Sequence, residues 1–145
     1  MEPDVIAFAE VTELLGVAKP KTAIESALHF VDLVEKGLPV KALDRVCVRI
    51  APSDASFKYR IVPKATLARY GSRLNAAQST RLARIAAIWT LARRVWGSDA
   101  EARDFLFRPH QLLEGRRPID VSIENELGGD LVRDLLGRLE YGSAA

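Results

Sequence analysis

The sequence is poor in the residue types that most chemistry needs. It has one cysteine, Cys47, and two histidines, His29 and His110, in 145 residues. A single thiol excludes an internal disulfide framework and any multi-cysteine zinc site. His110 follows Pro109 with no thiol or second histidine nearby, and His29 lies beside Val31 and Leu33 in a helical pattern. Neither reads as a ligand, so no metal and no cofactor is expected. GxGxxG, Walker, HExxH and GxSxG motifs are absent. Asp120 and Glu124 have the spacing of an acid dyad, but a charged, solvated loop explains them as well. We therefore expect no catalytic residue and no enzyme activity. No apolar run approaches the roughly 20 residues that span a membrane. The start, "MEPDVIAF", is acidic where a signal peptide would be basic. Together with the lone thiol, this gives the expectation of a cytoplasmic protein.

Acidic residues are scarce in one place, the middle. Residues 1–38 hold three Lys/Arg against seven Asp/Glu, and residues 97–145 hold six against ten. Residues 39–96 hold twelve against two, Asp44 and Asp54. The net charges of −4, +10 and −4 leave only +2 for the whole chain. Such asymmetry points to a polyanion at the middle and a different partner at the ends.

Strand signals are few as well. "VCVRI" and "RPIDVSI" are the only β-like runs. The rest has helical spacing, and we read the chain as all-α. A short helix is predicted over residues 4–15, with Gly16 as its stop. The next begins at a Thr22–Glu25 capping box or at Ser26, buries Ile24, Leu28, Val31 and Val34, and ends at Gly37. Pro39 opens a third, with Leu43, Val46, Cys47 and Ile50 inward. Ser53 caps a short helix to about Tyr59, and Pro63 opens one to about Tyr70. A long helix follows from about Asn75 to Trp96. Its Trp89 and Trp96, seven residues apart, share one side and mark core or a self-association seam. Ser98 and Glu101 form a capping box for a helix to about Arg108, and Pro118 starts a short helical turn in the loops that follow. The last helix is read from Asp130, with Leu131, Leu135, Leu136 and Leu139 on one side. The expected domains are residues 1–96 and 97–145.

Three short helices between residues 39 and 74 have the proportions of a helix-turn-helix domain. On a helical wheel of "PKATLARYGSRL", Leu67, Leu74 and Tyr70 fall together, with Arg69 and Arg73 opposite and Thr66 beside them. Arginine reads guanine or clamps phosphate. Lys64, in the first turn, suits a backbone phosphate. The candidate DNA contacts are Lys58, Arg60, Lys64, Thr66, Arg69 and Arg73. A solvated face would also carry such arginines, and the twelve-to-two charge ratio favours the polyanion.

Four segments, "EKGLPVKALDRV", "VPKATLARY", "RLNAAQSTRLARIAAI" and "RRPIDVSIENELGGDLVRDLLGRLEYG", resemble the Xre-type antitoxins of RES–Xre toxin–antitoxin systems, a group that includes the ParS and MbcA antitoxins. The resemblance covers roughly residues 24–142. It implies an Xre-like helix-turn-helix domain, a helical N-terminal segment that self-associates, and a small α-helical C-terminal domain that binds a toxin. The implied partners are a RES toxin, which degrades NAD, promoter DNA of its own operon, and further copies in a homodimer or higher oligomer, with no membrane. Arg117, Arg133, Arg138, Glu140 and Tyr141 are then the candidate toxin contacts. Tyr70 and Gly71 depart from the family, which continues there with basic residues, and "SFKY" is unusually aromatic. From the residues alone, two other readings stay open. One is a stand-alone DNA-binding regulator; the other is an interaction module whose basic middle meets an acidic protein.

Overall fold

The computed structural model describes residues 5–17, 23–69 and 71–142, with side chains from positions 9 and 28 onward in the first two stretches. The chain divides into two compact units, Met1–Ala87 and Ile88–Ala145. Every regular element among the described residues is helical. The two β-like runs are helix too: "VCVRI" ends α3 (Val40–Ile50) and "PIDVSIE" forms α8 (Pro118–Glu124).

The first unit begins with α1 (Val5–Leu15) and α2 (Ala23–Lys36), and α1 packs on both α2 and α3. The capping residue Thr22 lies outside the described residues. The predicted inward face of α2 holds only at Val34, which is half-buried, and the side chain of Ile24 lies outside the described residues. Leu28 and Val31 are 65% and 51% exposed, whereas Phe30 is buried. Two apolar registers compete on this helix. Phe30 with half-buried Leu33 and Val34 leads on to the buried Leu38, and the aromatic ring buries more area than Leu28. The α3 face is as predicted, with Leu43, Val46, Cys47 and Ile50 all buried.

The next two helices differ from expectation. Ser53 caps nothing. Instead the Asp54 carboxylate accepts from the Ser56 N–H (3.0 Å) and hydroxyl (2.6 Å). That turn delays the helix, so α4 spans only Lys58–Ile61. These bonds also hold the exposed Asp54 carboxyl below its usual range. After Pro63, α5 is equally brief, Lys64–Leu67, and runs out in a turn to Arg69. The wheel that set Arg69 and Arg73 on one helical face therefore does not apply, and Tyr70 lies outside the described residues. α6 (Ala76–Trp96) starts where predicted, with Asn75 Oδ1 accepting from the Gln78 N–H at 2.8 Å.

A backbone clamp closes this unit. The Leu74 N–H donates to Leu38 O (2.8 Å) and the Val40 N–H to Ser72 O (2.9 Å). Leu38 is wholly buried, and its own N–H donates to Ser79 Oγ at 2.8 Å. Gly37, at φ +102°, stands so close that a Cβ would meet the Leu74 carbonyl.

α6 crosses the unit boundary, its residues from Ile88 belonging to the second unit. There Ser98 caps α7 (Asp99–Phe107), its hydroxyl accepting from the Glu101 N–H at 3.2 Å. A 3₁₀ turn, Gln111–Leu113, leads to α8, which Pro118 opens as predicted. The core is Trp89, Ala92, Leu106, Ile119, Val132 and Leu136 with their neighbours.

α9 (Glu126–Glu140) begins four residues before Asp130, the predicted start. Gly128 and Gly129, which precede that predicted start, lie inside the helix and are buried. Asn125 caps it by accepting from the Gly128 N–H at 2.8 Å. The glycine is there for space, because a Cβ at Gly128 would run into the Val121 carbonyl of α8. The earlier start also corrects the leucine stripe. Val132, Leu135 and Leu136 are buried, but Leu131 is 57% exposed.

Two outcomes follow. Gly128→Ala should lower unfolding stability by about 1–3 kcal/mol through overpacking. Gly137→Ala, with nothing within 4 Å of an added Cβ, should raise it by about 0.5–1 kcal/mol. Denaturant titration of both variants checks the pair, and equal effects would refute close packing at Gly128. Burial and the Asp44 carboxylate push the Cys47 thiol from 9.0 to about 12. The folded chain should thus resist a thiol-disulfide reagent near neutral pH and label only on unfolding. The thiol's share of stability is complete below its unfolded value and is lost as pH rises from about 9 toward 12.

Candidate functional site

In the first unit the basic side chains divide into two groups. Three arginines are occupied by helix ends. Arg45 donates to the carbonyls of Leu14 (3.3 Å) and Glu13 (3.3 Å) at the end of α1. Arg73 donates to Gly37 O, just past α2, at 2.9 Å. Arg81 donates to Ile61 O, the last residue of α4, at 3.0 Å. A guanidinium at a helix C-terminus satisfies carbonyls that have no partner in the helix and faces the negative end of its dipole.

The second group surrounds the α4–α5 corner. Tyr59 is its centre. The Lys58 and Lys64 ammonium groups stand 5.4 and 5.7 Å from the centroid of its ring. Lys58 also pairs with Asp44 at 3.0 Å, which raises its pKa. Arg60 lies 5.9 Å from the ring of the buried Phe57. Lys64 opens α5, Thr66 is half-buried within it, and Arg69 follows it, exposed. Among the described residues no carboxylate pairs with Lys64 or Arg69. Of the six residues predicted to meet DNA, the structure thus gathers Lys58, Arg60 and Lys64 at one corner with Thr66 and Arg69 next along the chain. Arg73 stands apart on the clamp. Sequence reasoning missed Tyr59 as the platform, although an aromatic between Lys58 and Arg60 was its signal.

In the second unit most of the predicted contacts are already engaged. Arg117 grips Asp120 through two bonds, 2.8 and 2.9 Å, and its guanidinium lies 5.5 Å from the Phe107 ring centroid. That fork holds the Arg117 pKa up. Arg133 pairs with Asp130 at 3.4 Å, and Glu140 with Arg94 at 2.9 Å. Arg138 and Tyr141 are exposed. They belong to a face that the sequence pattern hid. Leu127, Leu131, Asp134, Arg138 and Tyr141 follow at i, i+4, i+7, i+11 and i+14, and all five are exposed. Leu127 and Tyr141 are each 75% exposed. Two leucines and a tyrosine lie on one outward line, with one charge of each sign between them, and make an exposed amphipathic face.

Among the described residues no group of three or more His, Cys, Asp or Glu is placed to hold a metal ion. None of the described helices is long and apolar enough to cross a membrane.

No curated protein matches the chain. Two family descriptions do. Residues 29–87 match the antitoxin Xre-like helix-turn-helix domain, which takes in the clamp and the α4–α5 corner. Residues 91–142 match the antitoxin Xre/MbcA/ParS C-terminal toxin-binding domain, which takes in the whole outward face of α9. With a DNA-binding domain of this type followed directly by a toxin-binding domain of the same group, the chain belongs to the Xre/MbcA/ParS family of antitoxins.

Proposed function

We propose that this antitoxin neutralises a RES-type, NAD-degrading toxin by laying the outward face of α9 against the toxin's active-site cleft. We further propose that it represses its own operon as a DNA-bound dimer or higher oligomer in the cytoplasm. The observation that carries the first part is the unsatisfied apolar line of Leu127, Leu131 and Tyr141 within the toxin-binding match. A helix that served only its own core would not keep two leucines and a tyrosine in water. The RES identity of the toxin rests on the four segments named above. In this reading Arg138 and Tyr141 touch the toxin directly. Arg117, Arg133 and Glu140, each tied to a neighbour, shape the domain that presents them.

DNA binding falls to the Tyr59 corner, with Lys64 and Arg69 as the phosphate or base contacts and Lys58, Arg60 and Thr66 around them. Arg73 acts through the clamp. Self-association falls to the helical N-terminal part, where Leu28 and Val31 on α2 and Val48 on α3 stand exposed. The proposed roles keep the division at residue 96, with DNA binding and oligomerisation before it and toxin binding after it. No catalytic step and no cofactor is assigned.

Co-expression with the product of the neighbouring gene, which this reading expects to be a RES protein, tests the first part. The two chains should elute together, and Leu131→Asp should abolish co-elution while leaving the melting temperature unchanged. Co-elution that survives Leu131→Asp would remove the α9 face. No co-elution by the intact chain would leave a stand-alone transcriptional regulator as the better reading.

Titration of a promoter duplex across a salt series tests the second. Lys64→Ala and Arg69→Ala should each weaken binding and lower the salt slope by about one. Arg73→Ala should instead cost about 1 kcal/mol of stability, with the salt slope of the folded fraction unchanged.

A further inference from the structure

The second unit has a cleft that none of these roles uses. Its volume is about 320 Å³, and it lies where the end of α6, the outer side of α7 and the loop after α7 meet Leu139. That is near the small end of the range for ligand clefts, roughly 300–1,000 Å³, and suits one long side chain better than a nucleotide. Two rings wall it. Trp96 and Phe105 have centroids 5.7 Å apart with their planes at 33°. Trp96, read as core or a self-association seam, is 38% exposed and lines this cleft. His110 closes the wall edge-on to Phe105 at 6.1 Å. Its Nδ1 accepts from the Leu112 N–H at 3.1 Å, so the ring is held in place by its own chain.

The charges around the cleft are unequal. Asp104 is matched by Arg108 at 2.8 Å, one turn along α7. Glu101 has only the Ser98 hydroxyl, at 3.5 Å. No cation pairs with it among the described residues. The cleft therefore combines an exposed indole, a second ring and one carboxylate without a counter-ion. A cation over an indole face is stabilised by the ring quadrupole, and arginine uses this most often. Its guanidinium can stack on the ring and bond a carboxylate at once.

We propose that this cleft receives an arginine side chain of the toxin, the guanidinium lying against Trp96 and bonded to Glu101. The inference rests on the antitoxin reading and adds to it a second contact, away from the outward face of α9. The cleft lies within the toxin-binding match, and its carboxylate without a counter-ion beside two rings is complementary in charge and shape to an arginine.

Glu101→Gln is the decisive substitution. Glutamine keeps the capping-box residue type at the third position of α7, so the helix start is preserved and only the charge is lost. The probe is the catalytically silenced toxin of the neighbouring gene, titrated calorimetrically into the full antitoxin. Wild type should bind, and Glu101→Gln should bind about ten-fold more weakly. Trp96→Leu, which keeps the wall apolar but removes the ring, should also weaken binding. Substituting each exposed toxin arginine by glutamine should then find one whose loss costs nothing further in the Glu101→Gln background. Unchanged affinity in Glu101→Gln, or a loss that couples to no toxin arginine, overturns the proposal while leaving the α9 reading standing. A shift in self-association by sedimentation, without a shift in toxin affinity, would assign the cleft to a second copy and overturn it too. If the wild-type chain does not bind the toxin, the antitoxin reading for that toxin falls first and this inference falls with it.

Discussion

The helix-turn-helix unit depends on a few hydrogen bonds between residues 37–40 and 72–79. Leu38 gives its carbonyl to the Leu74 N–H and its N–H to Ser79 Oγ, and Val40 gives its N–H to Ser72 O. Leu38, Leu74 and Ser79 are buried, and an unpaired buried amide costs on the order of 1–3 kcal/mol. The clamp therefore fixes the point where the chain leaves for α3, α4 and α5 and the point where it returns. α4 and α5 have four residues each and could not hold a geometry alone. Their corner is defined because both ends of the excursion are tied. Gly37 is part of the same constraint, since the Leu74 carbonyl occupies the space of its missing Cβ.

A comparable constraint shapes the second unit. Close approach of α9 to the Val121 carbonyl requires the absence of a side chain at Gly128. The contact sets the rotation of α9 about its axis. With Gly128, Val132, Leu135 and Leu136 inward, Leu127 and Leu131 have to face out. The outward apolar line is thus a consequence of the core.

What the sequence made legible was the part governed by local rules. The Ser98 cap, the Pro118 start, the inward face of α3 and the start of α6 all follow from a few residues, and the structure has them. The errors arose where a distant contact outweighed a local preference. A double glycine is a break by propensity, and only the α8 carbonyl explains why Gly128 and Gly129 lie inside a helix. On α2 two registers fit the spacing, and the bulk of Phe30 decided between them. The Asp54 turn displaced a Ser53 cap that looked equally good. The candidate site was legible in charge but not in geometry. Lys64 and Arg69 lie on and just after α5 rather than on one long helical face, and the Tyr59 ring between two lysines and the cleft at Trp96 required the third dimension.

The basic middle of the chain has to be read again in this light. Twelve cations against two acids looked like a single polyanion surface. Arg45, Arg73 and Arg81 instead donate to carbonyls at or just past the ends of α1, α2 and α4. Arg93 and Arg94 pair with Asp99 and Glu140 in the second unit. Helices this short have a large share of unpaired terminal carbonyls, and arginine meets that demand with several donors on one long arm. Part of the charge asymmetry is therefore a requirement of folding short helices. The charge left over for a polyanion is smaller than the count suggests, with Lys64 and Arg69 exposed on and just after α5.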